Sequence, residues 1–341
     1  MGKSKVFAVL ATAVAVAGVA GCGNSTTQSK ATPAQTVNNG FSADFDQPGV
    51  QLVVSVKSSP SVLTGGGSTL TAAQAGDLLN SRLVISVHSN GSSPLSQATT
   101  TGGSSSDIAL AEGGANLAEI RSVGNALYVR VDITKITSTY GLDKGSVAQF
   151  RQSLDQIAAE VPAAGALSAG KWVSIDVAGL LKLIGSQTGI SIPSTTASPA
   201  EAKSFVDNLL GAFQRSYQVT KGSNGTYVLT VHDKTLVTNL SQAVSTFPGL
   251  ANIPGYTSIS HSADQIPASA TVSVDASVSN GKVTQLALPL NQFPGNKLSG
   301  PATLVVAISG AGAVSAPSGA TAVDLTQLTK LIGQISSSST G

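Results

Sequence analysis

One cysteine, Cys22, stands in a chain of 341 residues. A single thiol forms no disulfide within the chain. Charge is scarce as well: Asp, Glu, Lys and Arg make up 11% of the chain, the formal net charge is +2, and Lys and Arg nowhere form a run. A phosphate backbone finds no basic track here, which argues against nucleic acid as a partner. Aromatics are 4%, with one tryptophan, so the core must draw on small and β-branched residues, a composition that suits strands. His88, His232 and His261 share no metal-ligand spacing with one another or with a carboxylate pair. No G-x-S-x-G elbow marks an activated serine. Asp107 and Glu112 could pair on a sheet but look like surface charges. Gly165 to Lys171 matches the start of a phosphate loop, yet Trp172 follows where Ser or Thr is needed, and the segment leads into a strand. The reading is of a protein with no catalytic residue, no metal and no cofactor. A hydrolase remains open only as a triad assembled across distant loops.

What is present starts at the N-terminus. Lys3 and Lys5 precede an apolar run from Val6 to Val19, and the run closes on Val19-Ala20-Gly21-Cys22. Cations, a short apolar stretch and small residues are the pattern of a secretory signal. The run is short against the roughly 20 residues of a membrane span. The small-small-Cys ending resembles the lipobox of bacterial lipoproteins, which implies removal of residues 1–21 and acylation (diacylglycerol, palmitate) of Cys22. An ordinary signal peptide with an incidental cysteine, or an uncleaved membrane helix, is the alternative. Gly23 to Asn39 is polar and without apolar period, so residues 22–44 are expected to form an acylated N-terminus and flexible tether. A folded domain is expected over 45–335, with a disordered tail over 336–341.

Strand patterns dominate from Val50 onward. Leu52, Val54 and Val56 alternate with polar residues, as do Leu83, Ile85 and Val87. Asp107 to Asp132 reads as three strands turning at Gly113-Gly114 and Gly124-Asn125, with Leu127, Val129 and Val131 on one side and Tyr128, Arg130 and Asp132 on the other. Asn224-Gly225 and Asn280-Gly281 are hairpin turns, and Thr303 to Ile308, apolar on both sides, is a central or cavity-lining strand. Helix starts fall at Thr71, at Ser146 and, most strongly, at Ser198-Pro199-Ala200-Glu201. Apolar faces follow at steps of three and four: Phe150, Leu154 and Ile157 in one helix, Phe205, Leu209 and Phe213 in another. Such stripes are most simply core, and they can also line a greasy pocket. Asp176 to Gly185 and Asp324 to Gly333 repeat one phrase. A shared solution for capping a helix after a strand explains it more simply than a duplication, since nothing around it aligns.

The lipobox, the polar stretch, the meander ending in Asn125 to Asp132, the tryptophan strand Lys171 to Asp176 and the later hairpins together resemble the LppX/LprG-type lipoproteins of actinobacteria, which share a fold with LolA and LolB. Extra length falls in loop-like stretches at 91–106, 185–200 and 245–268. The resemblance implies an α+β fold: one strongly curved antiparallel sheet, a half-barrel, packed on several helices, with an apolar cavity between them that takes acyl chains. Phe150, Leu154, Ile157, Phe205, Leu209 and Phe213 are then candidates to line it. The expected partners are the membrane through acylated Cys22, a lipid or other amphiphile, and an envelope transporter. The expected place is the extracytoplasmic face of the cell membrane. The function so implied is non-covalent binding of a lipid for transport or presentation. The alternative is an envelope scaffold or sensor with a filled core.

Overall fold

The structure, a computed structural model, describes residues 31–65, 70–97, 103–188, 208, 211–223, 225–245, 264, 266–293 and 298–327, with the backbone alone at 181, 184–188 and 244–245. Among these, twelve strands form one sheet in the order β12-β6-β5-β4-β3-β2-β1-β11-β10-β9-β8-β7. The strands are β1 (Gly49–Lys57), β2 (Ser81–Ser89), β3 (Ser104–Glu112), β4 (Ala115–Val123), β5 (Ala126–Val131), β6 (Val173–Asp176), β7 (Tyr217–Lys221), β8 (Thr226–His232), β9 (Thr271–Ser279), β10 (Lys282–Pro289), β11 (Thr303–Gly310) and β12 (Thr321–Ala322). The fold is α+β, as expected, and the sheet is open, with β12 and β7 as its edges.

Two local meanders build it. In the first, β2 to β5 pair antiparallel with their sequence neighbours, because Gly113, Gly114 and Gly124 take the left-handed conformation that tight turns need. In the second, Asn280 and Gly281 both have positive φ, as a two-residue hairpin demands. The meanders meet along one seam, where β1 pairs antiparallel with β11 from Val50↔Gly310 to Lys57↔Thr303. β11 is thus central, which accounts for its apolar residues on both sides. β12 joins parallel to β6, with Thr321 opposite Val173 and Ala322 opposite Ser174. The repeated phrase therefore starts at neighbouring positions, at the last residue of β6 and two residues beyond β12.

The helices are α1 (Pro33–Phe45), α2 (Pro60–Thr64), α3 (Ala72–Asn80), α4 (Ile133–Tyr140), α5 (Lys144–Ile157), α6 (Pro162–Ser168), α7 (Val177–Thr188) and α8 (Asp233–Ser245). Thr71 opens α3 through a capping box with Gln74, as its sequence predicts. α5 starts earlier than expected, because the Asp143 carboxylate accepts from the Ser146 N–H at 2.6 Å and takes the capping role assigned to Ser146. Within the stretch 22–44 expected to be a flexible tether, residues 33–44 instead belong to α1. Its N-cap Thr32 and Gln35 form a reciprocal capping box, Pro33 sits at the first turn, and Val37, Gly40, Phe41 and Asp44 are buried. Residues 22–30, the signal and the tail lie outside the described residues.

The main core gathers on one side of the sheet. Val37 and Phe41 from α1 and Leu236 from α8 pack on Val50, Leu52, Leu229, Val231, Leu286, Val306 and Ile308. Gly40 brings α1 close to β10: a methyl group added there would lie 3.0 Å from Val283 Cγ2 and 3.2 Å from its backbone nitrogen. Asp44, buried in the last turn of α1, accepts the Val283 N–H at 3.1 Å.

Candidate functional site

Strand alternation puts every second residue on one side, and the register decides which residues meet. Ile308, Leu52, Ile85, Ile108, Ile120, Val129 and Val173 stand directly opposite one another in turn across seven strands. A parallel row holds Val306, Val54, Leu83, Leu110, Ala118 and Val131. One end of this apolar face lies under α1. At the other end Val173 packs with Val161 and Ala163 of the α6 segment. Over β3 and β4, in the middle of the sheet, Ile108 and Ile120 are 41% and 42% exposed. Leu83, Ile85, Val87 and Leu110 around them are only half-buried. Burying an isoleucine fully contributes about 1.5–3 kcal/mol, so two such residues left partly uncovered by the described residues in the middle of a sheet make this face the candidate apolar binding surface.

The opposite side of the same strands is polar, and Glu119 is its hub. Glu119, 1% exposed, accepts from Asn116 Nδ2 at 2.8 Å, from Arg121 Nε at 2.8 Å and from Arg130 Nη2 at 2.9 Å. Burial alone would raise its pKa, but these donors and the two guanidinium charges outweigh it and hold the carboxyl below its usual range. Both guanidinium groups lie over the Trp172 ring, at 5.0 and 5.1 Å. Arg121 also donates to the Ser315 carbonyl at 3.3 Å, which ties the segment after β11 to this side. Asp107 is the odd member. Its Oδ2 is 3.7 Å from Arg121 Nε, its Oδ1 is buried without a hydrogen-bond partner, and burial together with the Glu119 charge raises its pKa. Glu112 lies apart and accepts from Thr139 at 3.1 Å. The cluster is a charge-balanced lock on the tryptophan strand.

Four of the residues singled out as cavity lining are described, and they do not share one pocket. Phe150 on α5 is 54% exposed, Leu154 and Ile157 beside it are half-buried, and no residue of α5 is fully buried. Phe213 instead joins the main core, its ring tilted against Tyr217 at 5.0 Å. Cys22, Phe205 and Leu209 lie outside the described residues, as does His261. An open groove of about 760 Å³ between α4 and α5 is walled by Thr134, Thr137, Lys144, Val147, Arg151 and Asp155; its surface is mostly apolar, from methyl groups and aliphatic stems, and it takes in none of Phe150, Leu154, Ile157 and Phe213. His88 contacts the carbonyl of its own neighbour Ser89, and His232 lies by Asp233. Among the described residues no group of three or more His, Cys, Asp or Glu could hold a metal ion. No helix among them is long and apolar enough to cross a membrane. Gly165 to Ser168 is helical and runs into β6, so the phosphate-loop match is accidental. Ile108 and Ile120 were not singled out in the sequence, where their alternation showed but their exposure did not.

No family model matches the chain, and no curated protein does. Among solved structures it is similar to the crystal structure of the Mycobacterium tuberculosis lipoprotein LppX. That match has 10% identity and a TM-score of 0.28, and covers 81% of this chain and 92% of that one.

Proposed function

We propose that this protein is an envelope lipoprotein, anchored through Cys22, whose folded body binds a lipid or other amphiphile non-covalently for transport or presentation. The observation that carries the binding step is the apolar sheet face left open at Ile108 and Ile120, between the cover of α1 and that of α6. Support for the anchor is the lipobox-like Val19 to Cys22. The work is partition, with no bond made or broken. Each methylene withdrawn from water contributes about 0.8 kcal/mol, so an acyl chain laid along a row of isoleucines needs few polar contacts. An open face, rather than an enclosed half-barrel pocket, is the proposed seat.

The test has two arms. Native mass spectrometry of the Cys22→Ser chain reads co-purified lipid, and the same chain with Ile108→Asp and Ile120→Asp is expected to lose it while keeping its circular dichroism. Equal lipid on both, or none on either, overturns the binding reading. Detergent phase partition and intact mass of the unaltered chain read the anchor separately. A protein without added acyl mass overturns that part.

A further inference from the structure

We infer that α5, with the turn before it, lies on the surface of the bilayer and forms a second membrane contact that fixes how the body stands. This rests on the proposed anchor at Cys22 for its geometry, but not for its test.

The two most exposed large apolar side chains described are Phe150, 54% exposed, and Leu142, 46% exposed. They sit eight positions apart, on α5 and in the turn that leads into it. At 100° per residue, Val147, Phe150, Leu154 and Ile157 fall on one arc of the helix, with Arg151, Lys144 and Asp155 on its flank. A helix with an apolar arc and cations beside it suits the boundary between headgroups and acyl chains. The helix is held in place rather than hanging free. Arg151 Nη1 donates to Thr134 Oγ1 on α4 at 3.0 Å, and Ala158 abuts Gly165 of α6. Asp143 is engaged in capping, so its charge is directed into the helix.

The route of the chain indicates which end of the body faces the membrane. Asp44, at the end of α1, binds Val283 at the start of β10, and Asn38, a turn into α1, accepts from Tyr217 at the start of β7. Tyr217 is level with Val231 and Val272, and the register carries that level to Thr303, Lys57, Ser81, Glu112, Ala115 and Val131 at the same end of the sheet. α4 and α5 leave β5 at this end. α1 therefore crosses the strands, its N-terminus toward that end on the β7 side of the sheet, while α5 leaves the same end on the β5 side. Thr32 is ten residues from Cys22, and ten residues reach at most about 35 Å. An acyl group on Cys22 keeps this end within that distance of the bilayer, which makes a membrane the occupant of the exposed Phe150 and Leu142 in preference to a distant partner.

The experiment uses the chain from residue 22 with Cys22→Ser, which retains every described element and carries neither acyl group nor signal. Sedimentation with phosphatidylglycerol/phosphatidylcholine vesicles and with phosphatidylcholine vesicles reads the contact. The parent is expected to sediment with both, more with the anionic ones. Leu142→Asp with Phe150→Asp is expected to lower the vesicle-bound to free ratio at least tenfold, and Val177→Asp, exposed elsewhere, to leave it unchanged. Circular dichroism and melting of all three chains exclude unfolding as the cause. Equal sedimentation of parent and double variant, or no sedimentation of the parent, overturns the inference. So does a parent that elutes as a dimer and becomes monomeric on Phe150→Asp, which would make a second copy the occupant. Loss of co-purified lipid on the isoleucine variants is a separate readout, so failure of one proposal leaves the other standing.

Discussion

Asp44 gives the sharpest prediction. Its carboxyl is 2% exposed, in the last turn of a helix whose C-terminal carbonyls disfavour a negative charge. Burial raises its pKa to about 6 from the ordinary 3.8, against the Val283 N–H and the Lys282 charge, which both lower it. A carboxyl raised in the folded state stabilises the fold fully below its unfolded pKa, and that contribution is lost as pH rises through the folded value. The shift corresponds to about 3 kcal/mol overall. Between pH 5 and pH 7.5 the linkage relation leaves about 1.4 kcal/mol of lost stability from this one group. Asp44→Asn keeps an acceptor for Val283 and removes the ionisation. Asp107 and Asp233, also raised, and Glu119, lowered, are present in both proteins and cancel in the difference. Urea unfolding at the two pH values should therefore show the unaltered chain losing about 1.4 kcal/mol more than Asp44→Asn. Parallel pH slopes for the two proteins would refute the assignment.

Three further outcomes follow from the same contacts. Leu229→Ala, in the filled core at 1% exposure, should cost about 2–5 kcal/mol, whereas Ile120→Asp on the open face should change stability by less than about 1 kcal/mol; denaturant midpoints compare them directly. Arg121→Ala removes two of the donors to buried Glu119 and one face of the Trp172 stack, with an expected loss of about 3 kcal/mol by thermal or urea unfolding. Gly40→Ala puts a methyl group 3.0 Å from Val283 Cγ2. The overpacking, about 1–3 kcal/mol, should exceed the helical gain of about 1 kcal/mol, and the melting temperature should fall.

Turn chemistry was legible residue by residue. Asn280-Gly281 and Gly124 specify backbone conformations that few other residues adopt, so the strands they join were found with their facing right. Register followed less directly, and cover hardly at all. Alternation places Ile108 and Ile120 on the apolar side, but whether a helix lies over them is decided by residues far away in sequence. Phe150 shows the same limit: helical period groups it with Leu154 and Ile157, and period is silent on what the group faces. α1 failed for the opposite reason. Thr32-Pro33-Ala34-Gln35 is a full capping signal, yet only Val37 and Phe41 mark its buried side, since the other two inward positions are Gly40 and the carboxyl of Asp44. Polar composition outweighed the cap, and tertiary contact with β10 is what makes the helix.

The β1–β11 seam has a consequence for how the protein is made. Lys57 meets Thr303 across it, so the middle of the sheet waits for nearly the last strand to arrive. The hairpins β3–β4, β4–β5, β7–β8 and β9–β10 can close through short turns soon after they emerge. Joining the two meanders means closing a very long loop, which slows the search for the final pairing. Until then the flank of β1 is a raw edge with unpaired backbone groups, open to strands of other molecules. Yield of the native protein should depend on how crowded the compartment is during those moments.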